Sequence, residues 1–213
     1  MAKELFYDVY GFNTWLFKLI NSFHTASYDA FMLYVTKLGD HRFFLPYLMV
    51  LGVYALLSII WRKLRGKGAV KQHFVMWLGV FAVLGAAAVV NYAVLDMLKH
   101  YFEYSRPYMV LSREQIFVIE PLEAEKATQS FPSGHVAFIT MMVIGLWPVL
   151  SHHMRLFGLF VIALVAWSRV AVGVHFPMDT VGAFLISGAV VLCVRLLLYT
   201  LFRKLFGLNC GGA

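Results

Sequence analysis

Charge is scarce in this chain: Asp, Glu, Lys and Arg make up 14% of its 213 residues while 61% are hydrophobic. That shortage excludes an ordinary soluble domain, whose surface needs roughly a quarter of its residues charged. Cysteine is scarcer still. Cys193 lies inside an apolar run and Cys210 in the tail, too few and too differently placed for a disulfide framework. There is no internal repeat, no heptad and no low-complexity tract. Met1 to Tyr10 carries charges of both signs with no separate apolar core after it, so no secretory signal is read there and the helices themselves are expected to direct insertion. Acidic residues number 11 against 18 basic ones, a formal charge of +7. The positions of the basic residues argue against nucleic acid as a partner: Arg62, Lys63, Arg65, Lys67 and Lys71 fall between two apolar runs, and Arg203 and Lys204 follow the last one. These are the basic flanks of membrane helices on their cytoplasmic side.

Long apolar runs are what the chain does have. A crossing needs about 20 apolar residues for about 30 Å of hydrocarbon. Five runs qualify or nearly do: Phe43 to Trp61, Phe74 to Leu98, Val136 to Leu150, Leu156 to Val174 and Met178 to Phe202. The third is short unless it starts at Pro132 or Ser133, where Pro132 would suit a first helical turn. Asn13 to Gly39 is apolar in part but carries Lys18, His24, Asp29 and Lys37, which fits interfacial amphipathic helices or a poor sixth crossing. The expected architecture is an all-α, polytopic transmembrane helix bundle forming one domain over residues 1–213. Residues 1–42 are its N-terminal interfacial or membrane helices, and residues 99–179 bear the motifs.

The one sizeable polar stretch, His100 to Phe131, mixes Glu103, Glu114, Glu120, Glu123 and Glu125 with Arg106, Arg113 and Lys126. Alternating sides from the basic linker at 62–71 sets this stretch on the outer face and the tail inside. The aromatic residues Tyr101, Phe102, Tyr104, Tyr108 and Phe117 read as an interfacial belt. His24, His41, His73, His100, His152 and His153 read as membrane-flank residues, and His152 with His153 lacks the further ligands a zinc site needs.

Three polar clusters interrupt the apolar chain, all at predicted outer helix ends. Lys99, Arg106 and Pro107 follow the second run; Ser133, Gly134 and His135 open the third; Ser168, Arg169 and His175 end the fourth, with Asp179 beginning the fifth. A tetrahedral anion would use this collection well. Lys99 and Arg106 bring charge, Arg169 a planar fork for two oxygens, and Ser133 with the Gly134 amide a helix N-terminus. Two histidines imply reaction as well as binding, since imidazole serves as nucleophile or proton donor near neutral pH. Asp179, four residues after His175, is spaced to fix its tautomer. Each residue alone has a structural alternative, a snorkelling lysine or an arginine anchor, but those readings do not predict three fixed spacings.

The strings Lys99-x6-Arg106-Pro107, Pro132-Ser133-Gly134-His135 and Ser168-Arg169-x5-His175-x3-Asp179 resemble the three signature motifs of the type 2 phosphatidic acid phosphatase superfamily, in the right order. The apolar runs resemble its small membrane members, not its soluble ones. The resemblance implies that His175 attacks phosphorus to form a phosphohistidine, that Asp179 orients it and that His135 protonates the leaving oxygen. It further implies that Lys99, Arg106, Ser133, Gly134 and Arg169 hold the phosphoryl oxygens. No cofactor and no metal are expected, and the implied partner is a phosphorylated lipid substrate within surrounding membrane lipids. The short chain resembles bacterial members, for which the inner membrane and a periplasmic site are implied. A phosphotransferase on the same scaffold and a non-catalytic anion-binding membrane protein are the competing readings.

Overall fold

The computed structural model describes residues 7–66, 68–119 and 127–206, with side chains described up to residue 202. Lys67, Glu120, Glu123, Glu125, Lys126 and Cys210 therefore lie outside the described residues, as do the side chains of Arg203 and Lys204. The described chain is helical, with no strand. Hydrocarbon offers the backbone no hydrogen-bond partner, so a crossing segment must satisfy its own amides.

Two short helices lie near the start of the described residues, α1 (Phe12–Asn21) and α2 (Ala26–Lys37). At about 1.5 Å per residue they reach only about 15 and 18 Å, too short to cross singly. Residues 22–25 break between them, and the Thr25 hydroxyl caps α2 by accepting from the Tyr28 amide at 3.2 Å. The structure thus shows two helical pieces where a single poor sixth crossing was the alternative.

After a 3-10 turn at His41–Phe43 come α3 (Phe44–Leu64) and α4 (Val70–Phe102), followed by the single turn α5 (Pro107–Val110). Then follow α6 (Gly134–Leu146), extended by a 3-10 turn at Trp147–Val149, α7 (His152–Ala171) and α8 (Pro177–Phe206). Among the described residues, four stretches are long and apolar enough to cross a membrane: His41–Leu64, Val70–Val110, His152–Ala171 and Pro177–Phe202. The third predicted run is the shorter apolar helix Gly134–Val149. Pro132 precedes that helix instead of opening it, with Ser133 at the N-cap.

The short helix is the centre of the bundle. Val136 to Val143 are buried without interruption, because α4, α7 and α8 surround it. A helix apolar all round belongs in such a position. Its C-terminal carbonyls end inside the protein, where Arg195 of α8 donates from Nη2 to the carbonyls of Ile144 at 2.6 Å and Gly145 at 3.2 Å. By contrast α3 buries only Ala55 and leans mainly on α4.

The helices run antiparallel in sequence. The C-terminal ends of α4 and α7 and the N-terminal ends of α6 and α8 therefore meet at one end of the bundle, joined there by α1, α2 and the chain before them. The basic linker between α3 and α4 lies at the opposite end.

Candidate active site

All three motif clusters converge at that end. α7 stops in a Schellman turn: Gly173 N–H donates to Val170 O at 3.0 Å and Val174 N–H to Arg169 O at 3.3 Å. Gly173 has φ +85°, the left-handed conformation a glycine tolerates. The turn folds the chain back so that His175 enters the bundle, and Pro177 at the first position of α8 restarts the helix with Asp179 in its first turn.

His175 and Asp179 are buried, at 2% and 0% exposure. His175 Nδ1 faces Asp179 Oδ2 at 3.3 Å. The same carboxylate oxygen accepts from Ser130 Oγ at 2.5 Å and from the Phe176 amide at 2.8 Å, and Oδ1 accepts from the Tyr7 hydroxyl. The Asp179 backbone carbonyl accepts the Ser133 amide at 3.1 Å, which ties the start of α6 to the start of α8. Burial, then the nearby charges of Arg106, Arg169 and Lys99, push the His175 pKa well below the ordinary imidazole value. Its imidazole is therefore neutral near pH 7, with Nδ1 directed at the carboxylate.

Arg169 is buried on the last turn of α7, where Nη1 donates to Thr36 Oγ1 of α2 at 2.6 Å. Arg106 is the N-cap of α5, and its amide is held by the Ala127 carbonyl at 2.8 Å. Arg106 Nε and Ser133 Oγ are buried without a hydrogen-bond partner among the described residues, although buried donors are nearly always satisfied. Two donors left open beside a buried histidine suit the oxygens of a phosphoryl group. Ser133 heads α6, whose first-turn amides, Gly134 among them, add the anion preference of a helix N-terminus. Lys99, on the last turn of α4, lines a cavity of about 270 Å³ together with Gly134, Leu95, Phe138 and Met141. The cavity lining combines charged side chains, Lys99 and Asp96, with apolar ones. His135 follows Gly134 and faces Arg169, His175 and Asp40. Among the described residues, no three His, Cys, Asp or Glu side chains converge on one point.

Every residue singled out from the sequence for the site thus lies at this end of the bundle. Other residues there were not anticipated. Ser130 stands two positions before the Pro-Ser-Gly-His string, and a hydroxyl so near a motif was a usable signal. Thr36, Tyr7 and Asn13 carried none, since they come from the N-terminal segment. The aromatic belt is also revised: Phe102 and Tyr104 turn inward and cluster with Tyr7 and Phe131, while Tyr101 remains exposed. Among the flank histidines, His24 is instead held between Asp29 and the ring of Phe117.

The sequence profile of the PAP2 superfamily, the type 2 phosphatidic acid phosphatases, matches residues 74–203. The chain belongs to the PAP2 superfamily. It is 28% identical over 177 residues to an undecaprenyl-diphosphatase of Sulfolobus acidocaldarius, covering 83% of this chain and 74% of that one. It is also 28% identical over 183 residues to the undecaprenyl-diphosphatase BcrC of Bacillus subtilis, covering 81% and 77%. The crystal structure of Aquifex aeolicus LpxE has the same fold, with a TM-score of 0.68 at 23% identity over 86% of this chain and 94% of that one. So does a PAP2-type phosphatidylglycerolphosphate phosphatase of Bacillus subtilis, with a TM-score of 0.64 at 20% identity over 93% and 95%.

The PAP2 motif residues depend on the turn at Gly173. A Cβ there would lie 2.3 Å from the Phe117 carbonyl oxygen. Phe117 cannot easily retreat, because Asn21 donates to its carbonyl at 2.8 Å, accepts from its amide at 2.8 Å and donates to Ala171 O at 2.9 Å. Gly173→Ala is expected to cost about 2–4 kcal/mol, from the left-handed backbone and the clash together. A lower thermal midpoint in detergent and at least a tenfold loss of activity would register it. Wild-type values for both would mean that the 112–119 loop yields.

Proposed function

We propose that this protein is a membrane lipid phosphatase that removes phosphate from a lipid phosphomonoester or diphosphate through a phosphohistidine, without a metal, at the outer face of a bacterial inner membrane. The observation that carries this reading is the buried His175–Asp179 pair beside two open donors, Ser133 Oγ and Arg106 Nε. With Nδ1 turned to Asp179, Nε2 is the atom that attacks phosphorus. The P–O bond to the lipid breaks as the P–N bond forms, and His135 gives its proton to the departing oxygen. Water then attacks phosphorus, returns a proton to His135 and leaves as inorganic phosphate while the P–N bond breaks. Arg106, Arg169 and Lys99 supply roughly three positive charges to meet the phosphoryl oxygens in the transition state.

Charge supports the outer face. Arg62, Lys63, Arg65 and Lys71 gather at the end of the bundle away from the site, and basic residues favour the cytoplasmic side. A cavity lined by both Lys99 and the apolar Leu95, Phe138 and Met141 suits a ligand with a charged head and an apolar chain. Two relatives are named for undecaprenyl diphosphate, so that lipid leads the candidates. Phosphatidylglycerol phosphate, phosphatidic acid and the 1-phosphate of lipid A complete them.

The test is release of inorganic phosphate by purified protein from these four lipids, with and without excess EDTA. At least one is expected to be hydrolysed at the same rate in both conditions, and vanadate is expected to inhibit by bonding to His175. Loss of activity on chelation with rescue by magnesium or zinc would overturn the metal-free mechanism. Label passing to a second lipid instead of to free phosphate would make the protein a phosphotransferase.

A further inference from the structure

Asp179 is served by a residue from the far end of the chain. The Tyr7 hydroxyl donates to Asp179 Oδ1, the carboxylate oxygen that neither His175, Ser130 nor the Phe176 amide uses. Its ring is fixed on three sides: stacked on Tyr104 at 4.0 Å between centroids, and edge-on to Phe131 at 6.3 Å and Phe176 at 6.0 Å. Asn13, 1% exposed, couples the two segments a second time. Its Nδ2 donates to the Tyr7 carbonyl at 3.3 Å, and its Oδ1 accepts the Met178 amide at 3.0 Å, one residue before Asp179.

We propose that Tyr7 is a positioning residue of the phosphatase reaction, a brace that fixes the plane of the Asp179 carboxylate so that Oδ2 stays directed at His175. The proposal rests on the reading of His175 and Asp179 given above. A carboxylate held on Oδ2 alone could pivot about its Cβ–Cγ bond; a donor on Oδ1 removes that freedom. The contact of 3.3 Å between His175 and Oδ2 is long for a hydrogen bond, so its alignment depends on the carboxylate's other partners. Burial, then the facing charge of Asp179, push the Tyr7 pKa up, so the phenol keeps its proton and remains a donor at every working pH. The N-terminal segment thereby becomes part of the reaction centre, 172 residues from the group it serves.

Tyr7→Phe keeps the ring contacts and removes the hydroxyl, so the fold is expected to hold, as a cooperative thermal transition lowered by only a few degrees would record. We expect kcat to fall about tenfold with KM within about twofold of wild type, since the hydroxyl acts on the nucleophile's partner and not on substrate. The same substitution made in Asp179→Ala should cost less than about twofold, because nothing is left to brace. Tyr7→Leu, which also removes the ring, should lose at least as much as Tyr7→Phe. Wild-type kcat in Tyr7→Phe overturns the proposal, as does an undiminished tenfold loss in the Asp179→Ala background. His175→Ala measured alongside separates the two readings. If it is inactive while Tyr7→Phe is fully active, the brace alone is wrong; if it is active, both are.

Discussion

His175→Ala is expected to lower turnover at least about 10³-fold, equivalent to about 4 kcal/mol in the barrier, while the protein still inserts and binds substrate. The fold should survive because Asp179 does not depend on the imidazole. Tyr7, Ser130 and the Phe176 amide continue to satisfy the carboxylate, so the substitution leaves no orphaned buried charge. Turnover within about tenfold of wild type would remove His175 from its role. The pH profile adds a second check on the same residue. Burial and the facing cations hold the imidazole neutral well below its ordinary pKa of about 6.5, so the nucleophile stays a free base as pH falls through that value. The acid limb of kcat/KM should therefore not appear near pH 6.5 on account of His175. The linked effect on stability has a definite sign. The unfolded chain takes up a proton on this residue below about pH 6.5 and the folded one does not, so His175 lowers stability as pH drops below that point and is without effect above it.

Asp179→Asn should reduce kcat by about 10²–10³-fold with little change in KM, because it removes the charge that stabilises the imidazolium. Two hydroxyl donors and one amide converge on the carboxylate, and a side-chain amide can accept at only one of its two atoms. Tyr7 and Ser130 can rotate their hydroxyl hydrogens to adapt; the Phe176 amide cannot. The substitution is therefore expected to orient its oxygen toward Phe176 and to present its NH₂ group to Tyr7. A response confined to KM would mean that Asp179 serves binding and not the histidine. Phosphohistidine formation in single-turnover labelling should slow to the same extent as kcat if attack on phosphorus is the step affected.

Much of this arrangement is readable in the sequence, and the reason differs from part to part. The runs Phe43 to Trp61 and Phe74 to Leu98 correspond to α3 and α4, but both helices overrun their predicted ends, to Leu64 and to Phe102. Hydropathy finds where hydrocarbon lies, and Arg62, Lys63 and Lys99 continue the helix beyond it. The convergence of Lys99, Arg106, Ser133, His135, Arg169, His175 and Asp179 was legible because alternating crossings bring those helix ends to one side. The supports of that constellation were not. Asn13, Asn21 and Thr36 are ordinary polar residues in a segment of mixed character, and nothing local reveals that Asn21 bridges Phe117 and Ala171. Such partners are chosen by tertiary placement, which spacing along the chain does not encode.

The bonds from Tyr7, Asn13 and Asn21 to later helices also set an order of events during synthesis. Asn21 waits for Phe117 and Ala171, and Asn13 waits for Met178, so these residues, made before α3, find their partners only once later helices have been made. An amide buried in lipid for that interval would have no means of satisfying its donors and acceptors. Short helices resting at the water boundary can keep theirs hydrated until α8 is in place. A nascent chain halted before residue 178 would accordingly expose a solvated α1 and α2 to protease, and would acquire protection there only when α8 is released from the ribosome.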